Sequence, residues 1–403
     1  ARRRCAALAE PARALKRDME RLFGKAANLP EELRRQLRDE KREKRLQEHT
    51  EIWRRQLLPS YQPGSRPTRH MQRLWRQGLP PKVREVLWPM AIGNVLRITP
   101  ELFEIHTQQA HDARRAQAMV RAPGVPVLVT ALPDFGTRGS HGKESSTECI
   151  PLDLPRTFPT LAFFHEGGPM HADLSRILEA YSFFRPDIGY VQGMNYLAAM
   201  LLLYLPAFEA FVGLCNLLNA PSVLGLYRME PNAVQCRAAL FREFCEAQLP
   251  AVGRVIDKVG LMPEMFLIEW FMTLYAKCLP VEVAAVVWDL FLLDGEVVLY
   301  CAALALLRMS EAALLSEEGA DLEGCAKILG KDLRKRVTDP DELLWHVQEF
   351  WRRTPSRLLS GIRSIGDNEF GTGGRASGAP GSASGSGGGL PGSSFFSRFG
   401  GGW

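Results

Sequence analysis

The spacing of apolar residues constrains the fold of this chain more than any other feature. From Thr68 to Pro355 apolar residues recur at helical spacing, and the alternation that strands need is scarce. One helix, predicted to begin at Pro263, carries its apolar residues on a single face: Phe266, Leu267, Trp270, Phe271 and Leu274. Such a stripe is stable only when a neighbouring element covers it. The sequence therefore predicts an all-α fold of many packed helices.

Composition divides the 403-residue chain into three parts. Residues 1–58 are dense in mixed charge and predict a charged helical lead-in, solvated on most of its surface. Residues 60–355 form the helical domain, interrupted at 122–148 by a flexible insertion rich in Gly, Pro and Ser. Residues 366–403 are rich in Gly and Ser and have too few apolar side chains to offset the entropy of ordering. We expect that tail to be disordered.

Charge, apolar runs and cysteines exclude several functional classes. The net charge of +5 is small for 403 residues and both signs are interspersed, so no nucleic-acid partner is expected. The most apolar run, Tyr196 to Leu205, has about half the length of a bilayer span, so no transmembrane segment is expected. The eight cysteines include no CxxC pair, which predicts a reducing compartment and no structural metal. A peripheral contact of the lead-in helix with a membrane or an adaptor stays open as an alternative to a solvated helix.

Three short patterns carry the candidate functional residues, and the first contains Arg84 and Trp88. These residues follow Gly78-Leu79-Pro80-Pro81 and stand one helical turn apart, so they share a face of one helix. A half-buried guanidinium on that face needs backbone carbonyls or a carboxylate as acceptors. The pattern therefore predicts a packed helix N-terminus.

The second pattern runs from Ile150 to Phe158 and places Asp153 and Arg156 three positions apart. On a helical turn, this spacing lets the carboxylate orient the guanidinium and still leave it available to a ligand. On these residues alone two interpretations stay open, a surface ion pair and a catalytic arginine.

The third pattern contains Tyr190, Gln192 and Asn195, with Gly189 and Gly193 near the glutamine. The glycines allow another backbone to approach closely. An amide both donates and accepts hydrogen bonds, which suits Gln192 to position a water against a phosphate. Alone, the pattern fits a helix-capping or solvent-facing amide equally well.

Together the three patterns resemble the TBC domain, the helical domain of GTPase-activating proteins for Rab GTPases. The family's motifs are RxxxW, IxxDxxR and YxQ within a YVQGM-like stretch, and this chain supplies all three in full. The resemblance covers roughly Gly78 to Leu315, with weaker helical similarity to about Trp351. It implies a multi-helix TBC fold and a protein that accelerates GTP hydrolysis by a Rab-family small GTPase.

The resemblance also implies a role for each motif residue. Arg156 is expected to act as an arginine finger and Gln192 as a glutamine finger, both supplied in trans to a GTP-bound Rab. Five residues are expected to support them: Asp153, Tyr190, Asn195, Arg84 and Trp88. The partner carries GTP and magnesium, so the chain needs no cofactor of its own and turns over no substrate alone. Such a protein is expected in the cytoplasm, peripheral at endomembranes and active in vesicle trafficking.

One residue departs from the family pattern, and two alternative functions stay open. Pro155 stands immediately before Arg156, where relatives generally have another residue, and it either presets the finger loop or misplaces it. The principal alternative is a catalytically silent scaffold or effector that binds a Rab through the same face. The other is a helical scaffold that acts through its lead-in helix and its Phe-rich tail.

Overall fold

The computed structural model describes residues 31–62, 65–120 and 144–370. Within these ranges the chain forms helices and turns and no strand, which confirms the predicted all-α fold. The predicted lead-in before residue 31, most of the predicted insertion, and the tail from residue 371 onward lie outside the described residues.

The described chain is a succession of α-helices with short helical turns between some of them. The α-helices are α1 (Glu31–Ile52), α2 (Arg69–Trp75), α3 (Pro81–Ile92), α4 (Pro100–Val120), α5 (Ile150–Asp153), α6 (His171–Phe184), α7 (Met194–Leu202), α8 (Ala207–Leu218), α9 (Pro221–Tyr227), α10 (Pro231–Gln248), α11 (Pro250–Val259), α12 (Glu264–Met272), α13 (Val281–Asp294), α14 (Val297–Met309), α15 (Glu311–Leu314), α16 (Leu322–Leu329), α17 (Leu333–Arg336), α18 (Pro340–Arg353) and α19 (Ser356–Phe370). The other turns are π-helical at Trp53–Leu57 and 3-10 at Leu58–Ser60, Glu144–Cys149, Leu154–Arg156 and Glu317–Gly319.

The core is centred on α14, whose residues from Val297 to Leu307 are all buried. This helix packs against α13 and α18, and a second group places α6 against α4, α5 and α7. A helix that is apolar on every side is stable in water only when neighbours surround it. Among the described residues, no single helix has the length and apolarity to cross a membrane. The adjoining helices α8 and α9 reach these values only together, with a bend of 84° between them.

Prolines begin several helices and glycines end several. Pro81, Pro231 and Pro340 occupy first-turn positions, and Pro280 is the N-cap of α13. Proline fits there because the first helical N–H groups have no partner within the helix. Gly295 ends α13 with a φ of 81°, a conformation that residues with side chains adopt only at a cost.

The helix face predicted to reach Leu274 is wrong at its last residue. α12 ends at Met272, and Leu274 and Tyr275 adopt φ values of 44° and 66° in the turn that follows. The Tyr275 hydroxyl donates a 2.5 Å hydrogen bond to the carbonyl of Leu299 in α14. This buried anchor explains the turn, because a phenol hydroxyl inside a core needs a partner.

The packed core extends beyond the predicted 60–355 segment at both ends. Trp53 is fully buried, and its ring meets that of Trp75 edge to face at 6.2 Å. Leu358 is also fully buried in α19, a helix that packs against α10 and runs to Phe370. Burying one leucine side chain contributes about 1.5–3 kcal/mol, which favours packing over a solvated end. The lead-in is therefore part of the domain at its C-terminal end, and the helical chain continues past residue 366.

Two arginines of α1 bind acidic residues of the domain. Arg45 donates to both carboxylate oxygens of Asp341, at 2.7 and 2.9 Å, and Arg42 donates to Glu282 at 3.1 Å. These contacts lay the C-terminal half of α1 against the domain surface. Side chains that the charge pattern predicted to be solvated are therefore engaged within the chain.

The last residues of the predicted flexible insertion, 122–148, lie in a helical turn. The segment Glu144–Cys149 forms a 3-10 turn that packs against α5 and α6. Its packing against two ordered helices outweighs the turn-forming composition that suggested flexibility. The rest of the predicted insertion falls outside the described residues.

Candidate functional site

Arg156 lies at the end of a short helical turn that has one buried and one exposed face. α5 continues directly into the 3-10 turn Leu154–Arg156. Ile150 and Leu154 are buried, whereas 70% of the Arg156 side chain is exposed. Pro155 occupies the first turn of the 3-10 helix, where its missing N–H costs nothing. The turn is thus fixed in the core and presents the guanidinium to solvent.

Asp153 lies beside Arg156 without forming a close ion pair. Its Oδ1 is 3.9 Å from Nη1 of Arg156, which is beyond hydrogen-bond distance. Its Oδ2 accepts a 2.7 Å hydrogen bond from the hydroxyl of Tyr190. The carboxylate therefore forms its close hydrogen bond with Tyr190 and leaves the donors of the Arg156 guanidinium available to a ligand.

The backbone around Arg156 is fixed by its neighbours. The Tyr196 hydroxyl donates to the carbonyl of Arg156 at 3.0 Å, and the Thr157 hydroxyl donates to the carbonyl of Asp153 at 2.8 Å. Phe158 adopts a φ of 42°, which costs a residue with a side chain on the order of 1 kcal/mol. Its buried ring meets that of Tyr196 edge to face at 5.6 Å, and this packing maintains the strained turn.

Gln192 is exposed in the turn that leads into α7. Gly193 is the N-cap of α7 with a φ of 109°. A Cβ at this position would meet Cγ2 of Thr273 at 3.4 Å and the Tyr227 hydroxyl at 3.7 Å. These are ordinary van der Waals distances, so the positive φ and not the packing explains why glycine follows Gln192 here.

A buried hydrogen-bond network joins the Gln192 turn to the Arg156 turn. Nδ2 of Asn195 donates to the Thr157 hydroxyl at 2.8 Å, and its Oδ1 accepts from the backbone N–H of Gly193 at 3.1 Å. The Tyr190 hydroxyl, bonded to Asp153, lies 3.3 Å from the same Oδ1. Burial and the bond to Asp153 raise the pKa of Tyr190 above its ordinary value, so the phenol stays protonated and donates. We call Asp153, Thr157, Tyr190 and Asn195 the bridging network.

Ser146 connects the end of the insertion to the Gln192 turn. The backbone N–H of Tyr190 donates to Oγ of Ser146 at 2.7 Å, across 44 positions of sequence. The 3-10 turn that carries Ser146 packs against α5 and α6. The start of the glutamine turn is therefore positioned by a residue outside all three sequence patterns.

Arg84 and Trp88 lie in a separate buried cluster around Asp289. Arg84 donates to Asp289 through Nε at 3.1 Å and Nη2 at 2.8 Å, and Nε1 of Trp88 donates to Oδ1 at 2.9 Å. Nη1 of Arg84 also donates to the Tyr204 hydroxyl at 3.3 Å. Burial lowers the pKa of Arg84, but the Asp289 carboxylate more than offsets this and keeps the pKa above its ordinary value.

The cluster around Asp289 supplies the acceptor of Arg84 and lies apart from the bridging network. The sequence leaves two kinds of acceptor open for Arg84, backbone carbonyls or a carboxylate, and the structure provides the carboxylate of Asp289. The hydrogen bonds of Arg84 and Trp88 join α3 to α13 and not to the bridging network, so they stabilise the domain rather than the candidate site. The reason is burial, since neither side chain is open to a partner.

Sequence reasoning missed four residues: Ser146, Thr157, Tyr196 and Asp289. Thr157 and Tyr196 each follow a motif residue directly, and that adjacency was the available signal. Ser146 lies in a stretch rich in Gly, Pro and Ser, where nothing marks one serine above another. The pairing of Asp289 with Arg84 spans 205 positions, which no local pattern encodes.

The assembled site is an exposed cation and an exposed neutral amide on one rigid support. Such a pair can bind an anionic group and a water molecule that a partner presents. Among the residues that the structure describes, no group of three or more His, Cys, Asp or Glu is arranged to hold a metal ion.

Comparison with known proteins agrees on the family and the fold. The Rab-GTPase-TBC domain family model matches residues 136–315. The chain is 41% identical over 264 residues to TBC1 domain family member 12 of Xenopus tropicalis, covering 66% of this chain and 37% of that protein. It is 30% identical over 323 residues to drainin of Dictyostelium discoideum, covering 74% of this chain and 73% of drainin. The chain thus spans less than half the length of its TBC1 domain relative.

A solved structure shares the architecture. The crystal structure of the Chlamydomonas flagellar RabGAP TBC domain superposes with a TM-score of 0.57 at 19% identity, covering 75% of this chain and 91% of that chain. At this identity the likeness concerns the fold alone.

Proposed function

This chain belongs to the TBC-domain family of Rab GTPase-activating proteins, and we propose that it accelerates GTP hydrolysis by a Rab-family GTPase through Arg156 and Gln192. Family membership gives a Rab-GAP-type function with a Rab GTPase as the partner. The proposal adds the mechanism, an arginine finger and a glutamine finger supplied in trans to a GTP-bound Rab that carries the nucleotide and magnesium. The chain then completes its partner's active site and turns over no substrate of its own.

The observation that carries the proposal is the common support beneath two exposed side chains. Arg156 and Gln192 both face solvent, and the bridging network joins their turns beneath them. Catalysis by fixed groups requires such rigidity, because donors that are already in place need no reorganisation in the transition state. A protein that only binds a GTPase has no physical need for it.

Each of the two side chains has its own task. Arg156 neutralises the charge on the phosphoryl oxygens, and its planar fork can meet two oxygens at once. Gln192 positions the attacking water, since its amide can donate to and accept from it. Arginine fingers supplied in trans accelerate hydrolysis by about 10³- to 10⁵-fold, or roughly 4–7 kcal/mol of barrier.

We also propose that the protein acts in the cytoplasm, peripheral at the endomembranes where vesicle trafficking uses Rab GTPases. The part of the lead-in before Arg42 is the candidate contact with a membrane or an adaptor, because Arg42 and Arg45 bind the domain. Imaging the chain with and without residues 1–41 tests this. Unchanged membrane association after the deletion contradicts a recruiting role for that segment.

The test of the mechanism is a GTP-hydrolysis screen of the full chain against a panel of GTP-loaded Rabs. We expect stimulation of at least one Rab, and a loss of about 10²-fold or more in stimulated rate for both Arg156→Ala and Gln192→Ala. Arg55→Ala is the matched control, because 78% of the Arg55 side chain is exposed and it pairs with Glu51 on α1. Binding without stimulation by wild type, and equal binding by every variant, identifies the silent scaffold instead.

A further inference from the structure

The turn that carries Arg156 is formed by α5 and Leu154–Arg156, and its exposed face is apolar apart from Arg156 itself. Pro151, Leu152 and Pro155 are exposed together with Arg156, and we call these three residues the apolar collar. Leu152 is 62% exposed, the largest value among the exposed large hydrophobic side chains of the described residues. A single exposed leucine is ordinary, but a group of apolar residues beside one cation is typical of a binding surface.

The geometry of the turn places the apolar collar next to the Arg156 side chain. Leu152 and Arg156 are four positions apart in the continuous turn formed by α5 and Leu154–Arg156, so their side chains lie on the same side. Ile150 and Leu154 are buried and prevent the turn from rotating. Any surface that the Arg156 guanidinium reaches must therefore also face Leu152.

We propose that the apolar collar docks on an apolar patch of the GTPase beside its nucleotide and excludes water from around Arg156. The inference rests on the proposed function, because the finger identifies the occupant. Arg156 meets a phosphate only when the surface bordering that phosphate covers the collar. The collar is thus the apolar part of an interface whose charged part is the finger.

Two physical effects make the collar useful. Excluding water lowers the local dielectric, so the attraction between the guanidinium and the phosphoryl oxygens becomes stronger. The two prolines keep the collar ordered before binding, so docking loses less conformational entropy than it would with flexible residues. Pro155, which directly precedes Arg156, thereby gains a role as part of the docking surface.

The test measures KM and kcat of the full chain with a GTP-loaded Rab, together with direct binding to it. Leu152→Ser removes one apolar contact and should raise KM and Kd about tenfold, and the water it readmits around Arg156 should lower kcat by a smaller factor. Leu152→Met restores apolar area and should return KM to near the wild-type value. Leu315→Ser is the matched control, because Leu315 is 49% exposed at the end of α15 and should leave KM unchanged. All variants should melt close to wild type, since neither leucine is in the core.

Salt dependence separates an apolar contact from a charge effect. The KM ratio of Leu152→Ser to wild type should be the same at low and high ionic strength, because salt screens charges and not apolar burial. A ratio that collapses at high salt overturns the collar, as does an equal rise of KM in Leu315→Ser.

The outcomes also separate this inference from the proposed function. An active wild type with unchanged KM in Leu152→Ser overturns the collar and leaves the finger mechanism intact. A wild type that binds GTP-loaded Rab without stimulating hydrolysis, and that Leu152→Ser weakens, supports the collar and overturns the finger mechanism. Absence of binding to every Rab overturns both.

Discussion

Two arginine–aspartate pairs of this molecule show opposite arrangements of the same two groups. The side chains of Arg84 and Asp289 are 4% and 0% exposed and approach to 2.8 Å. Those of Arg156 and Asp153 are 70% and 8% exposed and stay 3.9 Å apart. In the first pair the arginine donates its hydrogen bonds within the chain. In the second pair the aspartate is bonded to Tyr190 and the arginine keeps its donors.

The hydrogen-bond partners of each aspartate determine whether its arginine is held within the chain or is available to another protein. A buried guanidinium must be matched by a carboxylate, because an unpaired charge in the core costs several kcal/mol. An exposed guanidinium contributes little to stability and can be presented to another protein. The residue types are the same in both pairs, so only burial and hydrogen bonding distinguish an arginine held within the core from one that is available to a partner.

Replacing each arginine by alanine should separate the two pairs most clearly. Arg84→Ala leaves the Asp289 carboxylate buried without its cation and should reduce stability by about 3–5 kcal/mol, lowering Tm by on the order of 10 °C. Arg156→Ala should change stability by less than about 1 kcal/mol. Thermal unfolding followed by circular dichroism measures both. Equal melting temperatures would mean that the Arg84–Asp289 pair contributes no more than a surface contact.

The pH dependence of Arg84→Ala sharpens this test. Burial raises the pKa of Asp289, and Arg84 opposes that rise in the native protein. Without Arg84, the pKa of the Asp289 carboxyl is higher in the folded state than in the unfolded state. The free energy of unfolding therefore falls as pH rises above about 4, the ordinary pKa of an aspartate. The loss of stability of Arg84→Ala relative to wild type should therefore be smaller at pH 5 than at pH 8. Adding Asp289→Asn should remove the pH dependence, and a deficit that is equal at both pH values contradicts the account.

Tyr190→Phe tests whether the bond to Asp153 keeps Arg156 free. Without the hydroxyl, the Asp153 carboxylate has an unused acceptor, which draws the guanidinium into a closer ion pair. We expect the stimulated hydrolysis rate to fall about tenfold. In the Arg156→Ala background the same change should cost nothing further. A tenfold loss in that background as well shows that Tyr190 only stabilises the turn.

Ser146→Ala tests the smallest of these effects, the positioning of the Gln192 turn. Losing the acceptor for the Tyr190 N–H should lower kcat by roughly threefold to tenfold, the value of about one hydrogen bond, with KM unchanged. Ser146→Thr keeps the hydroxyl and should recover most of the rate. In the Gln192→Ala background, Ser146→Ala should have no effect on rate. An undiminished loss there places Ser146 in general stability instead.

The fold class was predictable because every helix must bury its own stripe, and that periodicity is local. Asp153, Tyr190 and Asn195 were predictable as a group, since their motifs are short and the family resemblance links them. The burial of Trp53 was not predictable, because strongly charged neighbours surround it in sequence. Its packing depends on Trp75, which another helix supplies.

The hydrogen bonds of the site that the sequence did not predict join residues far apart in the chain. The acceptor of Arg84 lies 205 positions away, and the acceptor of the Tyr190 N–H lies 44 positions away. Such pairings arise only when the helices pack. The 3.9 Å separation of Arg156 from Asp153 is of the same kind, because the hydroxyl that binds the Asp153 carboxylate belongs to Tyr190, 37 positions away.

If Arg156 acts on the transition state, it must favour a partner that mimics that state, and a binding measurement with GDP and a planar or tetrahedral phosphate mimic detects this. Wild type should bind a GDP-plus-mimic Rab far more tightly than the same Rab with GDP alone. Arg156→Ala should lose most of that difference, and Arg156→Lys should recover little, because an ammonium cannot meet two oxygens in one plane. A wild type that binds both forms of its Rab equally would contradict the account and indicate that Arg156 does not reach the phosphate.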